Sequence, residues 1–328
     1  MVSVLDMADS VTALEEALVL EAEGGARTMT KTHASWGDDH TLHAVGAVAT
    51  AAGLAATKTW VHSGGGACPL LIIFDSESGA LRAIIEAFAL GQLRSGAISG
   101  VATRLLAAAD ADELAIAGTG KQALAQVAAV AAVRPLRHVR VFGRDAGRRE
   151  AFVIAVRDRL GLAATGFADV AAAVDRAPII TLVTRAHEPF LKADHVASGA
   201  HVNAVGAIVP ARIEFEPALL DRCDVITADS PAQARRLSRE LIDRFADDEG
   251  SWQRVQPLSA LLASGRERAA TDDVTLFKAL GIGLSDLALG MRLLRATAER
   301  GLGRAIPQPV RATPSFIPTA GISRGDAT

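Results

Sequence analysis

The sequence predicts an α/β fold in which a parallel sheet follows a region of antiparallel strands. Its 328 residues exceed the usual size of a single hydrophobic core, so two domains are expected, with one large domain as the alternative. Short apolar segments bounded by Gly, Asp and Ser precede Glu113, as in an antiparallel sheet. From Glu113 onward, strand-like and helix-like segments alternate, which predicts parallel strands covered by helices.

The N-terminal region is predicted to contain two helices with strands between them. Residues Asp6 to Glu23 carry apolar side chains at helical spacing, and Gly24 and Gly25 follow as a stop signal. Glu86 to Ala109 is also predicted to be helical, although glycines interrupt it. The predicted strands are RTMTKTH, TLHAVGAV, ATKTWVH and LLIIFD.

The central region contains five predicted strands with helices between them. The strands are LAIA, VRVFG, IITLVT, HVNAVG and DVITA, and the helices include residues 146–160 and PAQARRLSRELIDRF. Residues 274–303 have apolar side chains at helical spacing and are predicted to form a helical segment. The tail beyond them is rich in Pro, Gly and small polar residues, so we expect an extended or disordered arm.

The composition favours a protein that acts on a small molecule. A formal charge of -3 gives no electrostatic basis for binding nucleic acid or an anionic membrane, and 4% aromatic residues provide few platforms for base stacking. The N-terminus lacks the features of a secretory signal, and no apolar run reaches the ~20 residues of a membrane span. Cys68 and Cys223 are expected to be reduced thiols. We therefore expect a cytoplasmic protein without nucleic-acid or membrane partners.

A glycine turn separates a predicted strand from a predicted helix in LAIAGTGKQALAQVAAVAAV, residues 114–133. Gly118, Thr119 and Gly120, with Ala123 at the third small position, match the Gly-x-Gly-x-x-Ala fingerprint of dinucleotide-binding folds. Glycines permit the tight turn and let backbone amides approach a pyrophosphate at the positive end of the helix. An ordinary glycine turn has similar residues, but the flanking strand and helix favour a nucleotide site.

The end of the next strand bears on the choice between NAD and NADP. An acidic side chain there would accept hydrogen bonds from the ribose hydroxyls of NAD, but this chain has Gly143 and Arg144. Arg144, with Arg148 and Arg149 nearby, is suited to gripping a 2′-phosphate through its planar fork. We expect NADP, while Asp145 keeps NAD open as the alternative, and the arginines would otherwise be ordinary residues at the start of a helix.

Several separated segments together resemble the ornithine cyclodeaminase and mu-crystallin family. They span about residues 25–303 and are ATKTWV, LRSGAISGVATRLLA, AGTGKQA, VRVFGR, ITLVTRAHEPFL, HVNAVGA and VTLFKALGIGLSDLALG. The resemblance implies a Rossmann-type dinucleotide domain, residues 112–273, and a split α+β domain, residues 1–111 and 274–328, which binds substrate and forms a dimer through its sheet. It also implies these cofactor-binding positions: Gly118, Thr119, Gly120, Lys121, Gln122, Arg144, Arg148, Thr184, Val205 and Gly206.

The resemblance also implies where substrate binds and reacts. Arg94 resembles the arginine that holds the substrate carboxylate, a role that suits its bidentate fork. Lys58 resembles the active-site lysine, which hydrogen-bonds the carboxylate or the reacting C=N or C=O group. Lys31 lies near the position of a second substrate-binding arginine, and His43 near a cyclodeaminase glutamate, so His43 is a candidate for proton transfer. Without the motifs, an ordinary structural or surface role would be preferred for Lys58 and His43, and Arg94 could be an ordinary surface arginine. No metal is expected, since the histidines of this region lack ligand spacing.

The loop after HVNAVG departs from the cyclodeaminases. They carry an aspartate two residues beyond the glycine, which transfers protons during ring closure, whereas this chain has Ile208. Isoleucine cannot act as a general base, but beside a nicotinamide it would contribute an apolar substrate-binding surface that excludes water. The triple glycine of residues 64–66 either loosens the pocket wall or forms a plain hairpin loop.

The sequence therefore predicts an NAD(P)H-dependent reductase of a small imino or keto acid, of the ketimine reductase or amino acid dehydrogenase type. A redox-neutral cyclodeaminase of the ornithine or lysine type is the nearest alternative. A non-catalytic NADP-binding protein of the mu-crystallin type is the second, although such a protein has no use for Lys58 and Arg94. The expected partners are the small-molecule substrate and a second copy in a homodimer.

Overall fold

The computed structural model describes residues 4–37, 40–314 and 316, which form two sheets and the helices packed on them. The helices are α1 (Met7–Ala22), α2 (Phe88–Leu106), α3 (Ala123–Val133), α4 (Ala146–Leu160), α5 (Val170–Val174), α6 (Pro231–Leu237), α7 (Arg239–Phe245), α8 (Glu249–Gln253), α9 (Leu258–Ala263) and α10 (Gly283–Glu299). The predicted first helix begins after Asp6, whose carboxylate caps it by accepting the backbone N–H of Asp9 at 2.7 Å.

The first sheet is antiparallel, as predicted, and all four predicted segments contribute strands to it. Its strands are β1 (Ala26–Thr28), β2 (Thr32–Trp36), β3 (His40–Ala49), β4 (Leu54–Ser63), β5 (Gly66–Ala67), β6 (Leu70–Asp75) and β7 (Leu81–Glu86), in the order β1-β3-β4-β6-β7, with β2 beside β3 and β5 beside β4. One face packs against α10, which crosses β3, β4 and β6. The triple glycine lies at the β4–β5 hairpin turn.

The second sheet is parallel, which confirms the predicted α/β class. Its strands are β8 (Glu113–Ala117), β9 (His138–Phe142), β10 (Ala163–Phe167), β11 (Ile179–Leu182), β12 (His201–Ala204), β13 (Cys223–Ala228), β14 (Val255–Pro257) and β15 (Val274–Lys278), in the order β10-β9-β8-β11-β12-β15-β13-β14. The strand order reverses between β8 and β11. In such sheets, ligands bind at the carboxyl ends of the strands beside this reversal.

One expectation needs correction. Val274–Lys278 is a fully buried strand between β12 and β13, and the helix begins only at Gly283. A strand buried on both faces and a buried helix both contain a short apolar run. The apolar residues of 274–278 were therefore wrongly assigned to the helix that follows them. Since β15 belongs to the parallel sheet, we propose that the central unit extends to Lys278 and that the returning segment starts after it.

The glycines within α2 allow close helix packing. A Cβ on Gly96 would lie 2.5 Å from the carbonyl oxygen of Ala125 in α3, and one on Gly100 would lie 2.7 Å from Val11 in α1. Helix α2 therefore packs closely on α1 and α3 through its glycine face. The described part of the C-terminal tail has no helix or strand, in line with the expected extended arm. Within the described chain, no helix combines the length and apolar character needed to cross a bilayer.

Candidate functional site

The predicted glycine turn lies at the reversal of strand order. Gly118 has φ +116°, and a Cβ there would lie 2.7 Å from the carbonyl oxygen of Val183, which follows β11. Gly118 N donates to the carbonyl of Phe142 at 3.0 Å, so the turn also contacts the end of β9. Nothing lies within 4 Å of a Cβ on Gly120, which leaves its backbone open to a ligand. The buried Ala123 then starts α3.

The side chains of Thr119, Lys121 and Gln122, in and after the glycine turn, have different surroundings. Thr119 packs against Gly143, whose Cβ would lie 3.1 Å from the threonine methyl group. The Nζ atom of Lys121 lies 5.8 Å from the ring centroid of Phe88, at the start of α2. The side-chain oxygen of Gln122 is buried, with no hydrogen-bond partner in the described chain.

The arginines after β9 separate into one structural and two exposed side chains. Arg149 donates from Nη1 to the carbonyl of Gly143 at 2.6 Å, so it fixes the end of the strand. Asp145 caps α4 by accepting the backbone N–H of Arg148 at 2.7 Å. The guanidinium groups of Arg144 and Arg148 are exposed and form no ion pair within the described residues. The carboxylate of Asp145 is thus engaged in capping α4, whereas the guanidinium groups of Arg144 and Arg148 remain accessible.

The loops after β11 and β12 carry the remaining predicted cofactor and substrate positions. Thr184 follows β11, while Val205 and Gly206 follow β12, and a Cβ on Gly206 would lie 2.2 Å from the carbonyl oxygen of Thr184. The two loops are therefore in direct contact. Ile208 is half-buried two residues further along. Sequence reasoning missed Glu214, a buried carboxylate that hydrogen-bonds both loops.

Lys58 and Arg94, on different elements, share one carboxylate. Lys58 on β4 donates from Nζ to Oδ1 of Asp286 at 2.6 Å, and Nε of Arg94 on α2 lies 3.5 Å from the same oxygen. Asp286 lies in the first turn of α10 with a side chain 1% exposed, and its Oδ2 has no hydrogen-bond partner in the described chain. Sequence reasoning missed Asp286. Its only local signal is an acid among apolar residues at a helix start, which usually indicates favourable interaction with the helix dipole.

Burial and neighbouring charges tune the cations of this cluster. Burial, reinforced by the Arg94 charge, lowers the pKa of Lys58 to about 8 against the opposing effect of Asp286. Burial also lowers the pKa of Lys31, with Arg94 adding to the effect and Asp229 and Asp286 opposing it. The structure thus brings three of the predicted substrate residues into one electrostatic cluster.

Asp229 and Gly281 complete the surroundings of Arg94. Asp229 accepts the backbone N–H groups of Leu280 at 2.9 Å and Gly281 at 2.7 Å, while its burial raises its pKa. Gly281 has φ +86°, and a Cβ there would lie 2.9 Å from Nη1 of Arg94. The guanidinium therefore packs on a backbone that leaves no room for a side chain.

His43 lies beside this cluster and is linked to Lys58 through an aromatic neighbour. Its ring stacks on Trp60, with centroids 4.7 Å apart, and Nζ of Lys58 lies 5.3 Å from the Trp60 centroid. Burial, and then the charge of Lys31, lowers the pKa of His43, which favours the neutral imidazole at neutral pH. Its Nε2 pairs with the Thr41 hydroxyl at 2.9 Å, and Nδ1 is buried without a partner in the described chain. The described residues contain no group of three or more metal-ligating side chains.

Comparisons with known proteins identify the family and the fold of the chain. The model of the ornithine cyclodeaminase/mu-crystallin family matches residues 2–300. Delta(1)-pyrroline-2-carboxylate reductase of Bacillus cereus is 29% identical over 72% of this chain and 73% of that protein. Ketimine reductase mu-crystallin of Mus musculus is 31% identical over 66% of each chain. A solved archaeal alanine dehydrogenase dimer with bound NAD has a TM-score of 0.83 at 25% identity, covering 93% of this chain and 96% of that chain.

Proposed function

Because the chain belongs to the ornithine cyclodeaminase/mu-crystallin family, we propose that it is an NAD(P)H-dependent reductase of a small imino or keto acid. The observation that carries the proposal is the buried cluster in which Lys58 and Arg94 share Asp286. Relatives named as reductases of a pyrroline carboxylate and of ketimines agree with that chemistry. The reverse reaction is an amino acid dehydrogenation.

The cation cluster is suited to binding the carboxylate of the substrate. Arg94, whose side chain is 19% exposed, can offer its Nη groups as a planar fork, while Asp286 and Gly281 hold the inner side of the guanidinium. Lys31 supplies a second cation at the same place. The cations outnumber the two acids Asp229 and Asp286, so an incoming carboxylate finds a net positive site.

Lys58 is the proposed proton donor to the reacting group. With a pKa of about 8, its ammonium group is populated at neutral pH, yet it gives up a proton more readily than an ordinary lysine. The hydrogen bond to Asp286 keeps Nζ in place. His43, stacked on Trp60, is the proposed second member of a proton relay.

The cofactor is expected along the carboxyl edge of the parallel sheet. The residues fit it, because Gly118 cannot accommodate a Cβ and Gly120 leaves open space where backbone amides can meet a pyrophosphate. Gly118 to Gln122 would hold the phosphates, and Thr184, Val205 and Gly206 the other half of the dinucleotide. The bound nicotinamide supplies the hydride. The apolar side chain of Ile208 would exclude water there.

We favour NADP over NAD. Arg144 and Arg148 are exposed and suited to a 2′-phosphate, whereas Asp145, the acid nearest the strand end, already caps α4. Fluorescence titration with NADPH and NADH compares the two affinities directly, and tighter binding of NADH would contradict this preference.

A homodimer is proposed from the uncovered face of the first sheet. Leu42, Val61 and Ile84 are 44%, 44% and 49% exposed, and the strand registers place them on the face opposite Lys58. Leu42 and Val61 are cross-strand partners, and exposed apolar side chains on one face of a sheet favour a protein interface. We also propose that the protein is cytoplasmic, since Cys68 and Cys223 are both free thiols. Sedimentation of the full chain tests the dimer.

The decisive experiment separates reduction from cyclodeamination. Following absorbance at 340 nm with cyclic imino acids, and with pyruvate, glyoxylate or oxaloacetate plus ammonia or methylamine, should show one NADPH consumed per product. Ile208 removes the aspartate that ring closure requires, so ornithine should not give proline and ammonia on catalytic NAD. Ring closure without net cofactor change would contradict the proposal, and the absence of turnover on any of these substrates would favour a non-catalytic binding protein.

A further inference from the structure

A buried glutamate joins the loops that follow β11 and β12. Oε1 of Glu214 accepts the backbone N–H and the hydroxyl of Thr184, at 2.6 and 2.8 Å. Its Oε2 accepts the backbone N–H groups of Gly206 and Ala207, at 2.8 and 3.0 Å. Four donors from two separate loops therefore converge on one carboxylate that is fully buried.

A second buried layer holds this carboxylate. The backbone N–H of Glu214 donates to Oε1 of Glu240 at 3.1 Å, and Nζ of Lys278 lies 3.1 Å from Oε2 of the same residue. Lys278 and Glu240 have no exposed surface. Burial raises the pKa of Glu214, and the Lys278 charge opposes this effect. Buried charges are tolerated only when paired and hydrogen-bonded, so this network has a fixed geometry.

The loops held in this way follow neighbouring parallel strands at their carboxyl ends. A Cβ on Gly206 would lie 2.2 Å from the Thr184 carbonyl oxygen and 2.5 Å from Oε1 of Glu214, so the loops are already in contact. A change of a few tenths of an ångström in Glu214 must therefore displace one loop or the other. Both loops lie at the sheet edge where a dinucleotide binds in this type of fold.

We propose that Glu214 is the positioning residue for the dinucleotide half that contacts the loops of Thr184 and Gly206. Its two oxygens set the separation of these loops, and Lys278, through Glu240, sets the position of Glu214. This inference rests on the proposed function, since it requires a dinucleotide at this sheet edge. Glu214 itself is buried behind the loops and makes no contact with the ligand.

The test is the affinity of the full-length protein for NADPH, measured by fluorescence titration. Glu214→Gln replaces one acceptor with an NH₂ group that must face the backbone donors of one loop. A buried donor without an acceptor is strongly disfavoured, so the Kd for NADPH should rise about tenfold or more. At saturating NADPH, the KM for the imino acid should change by a smaller factor than the Kd for NADPH. Glu214→Asp retains the charge but is one methylene shorter, and should give a smaller rise in Kd.

Asp272→Asn is the matched control. Asp272 is also a buried carboxylate that fixes a loop, by accepting the backbone N–H of Ala269 at 2.8 Å. It precedes β15, however, and so lies at the amino ends of the parallel strands, away from the loops that Glu214 joins. It should lower the midpoint of thermal unfolding without changing the Kd for NADPH. If both Glu214 variants bound NADPH as tightly as the wild type does, the inference about Glu214 would be overturned, while the proposed function would be unaffected. Wild-type protein that bound neither NADPH nor NADH would overturn the proposed function as well.

Discussion

Replacing Asp286 with asparagine tests how Lys58 keeps its proton. The substitution preserves shape and an acceptor oxygen but removes the charge that lies 2.6 Å from Nζ of Lys58. The lysine side chain is 5% exposed, so water cannot compensate for the loss. Arg94 and Lys31 then act on Lys58 without their main counterion, and both disfavour its charged form.

The expected magnitude follows from the burial of the pair. Removing one partner of a buried ion pair costs about 3 to 5 kcal/mol, and 1.36 kcal/mol is a tenfold change in a protonation equilibrium. The ammonium form of Lys58 should therefore become roughly 100-fold less favoured or more. With a pKa of about 8, roughly three quarters of wild-type Lys58 is protonated at pH 7.5, whereas only a few per cent would remain protonated in the variant.

The assay is the pH profile of kcat/KM for imine reduction. Lys58 acts in its protonated form, so activity is retained below its pKa and declines as the pH rises through it. In Asp286→Asn this decline should move to lower pH, with about a 20-fold loss at pH 7.5 that shrinks as the pH falls toward 6.

A control and a refuting result complete this test. Asp9→Asn removes a carboxylate that contacts α10 through Arg292 at 3.5 Å, away from the cluster, and should leave the profile unchanged. If Asp286→Asn lost activity by the same factor at every pH, Asp286 would not control the protonation of Lys58 and the mechanism above would be wrong.

Three further predictions have distinct expected outcomes. Arg94→Lys keeps the charge but loses the planar fork, so the KM for the imino acid should rise roughly tenfold while the Kd for NADPH stays constant in titrations. Arg144→Ala combined with Arg148→Ala should weaken NADPH binding by roughly tenfold and leave NADH binding unchanged, and equal effects on both would exclude a 2′-phosphate site. Gly118→Ala, with φ +116°, should lower the free energy of unfolding in urea by ~2 kcal/mol, whereas Gly120→Ala, which meets nothing within 4 Å, serves as its control.

Local sequence patterns predicted the parts of the fold that local interactions determine. The first helix, the antiparallel strands and the glycine turn each have a spacing or turn signal within a few residues, and the structure contains all of them. Val274–Lys278 has no such signal, because a strand buried on both faces lacks alternation. Its place between β12 and β13 depends on the whole sheet, which no window of sequence contains.

In the candidate site, too, contacts between residues that are distant in the sequence could not be predicted from local patterns. Lys58 and Arg94 were predicted because they stand in recognisable motifs. Asp286 also stands in a motif, but its role was not predicted, because its partner Lys58 is 228 residues away in the sequence. Glu214 lies in an irregular loop, and the donors that surround it come from positions 7 to 30 residues earlier. Buried carboxylates of this kind are determined by packing, so they are visible only once the elements are assembled.

Residues 278–286, KALGIGLSD, connect the parallel sheet to α10 and contact several of the buried polar groups described above. Lys278 pairs with Glu240 beneath the cofactor loops. Gly281 packs against Arg94, and Asp286 holds Lys58. One short crossing from the parallel sheet to α10 thus contacts Glu240, which accepts the backbone N–H of Glu214, and also the cluster of Lys58 and Arg94. Inserting or deleting a residue here would shift Asp286 relative to Lys278, so the spacing within this segment determines how the Lys58 cluster lies relative to the loops that Glu214 joins.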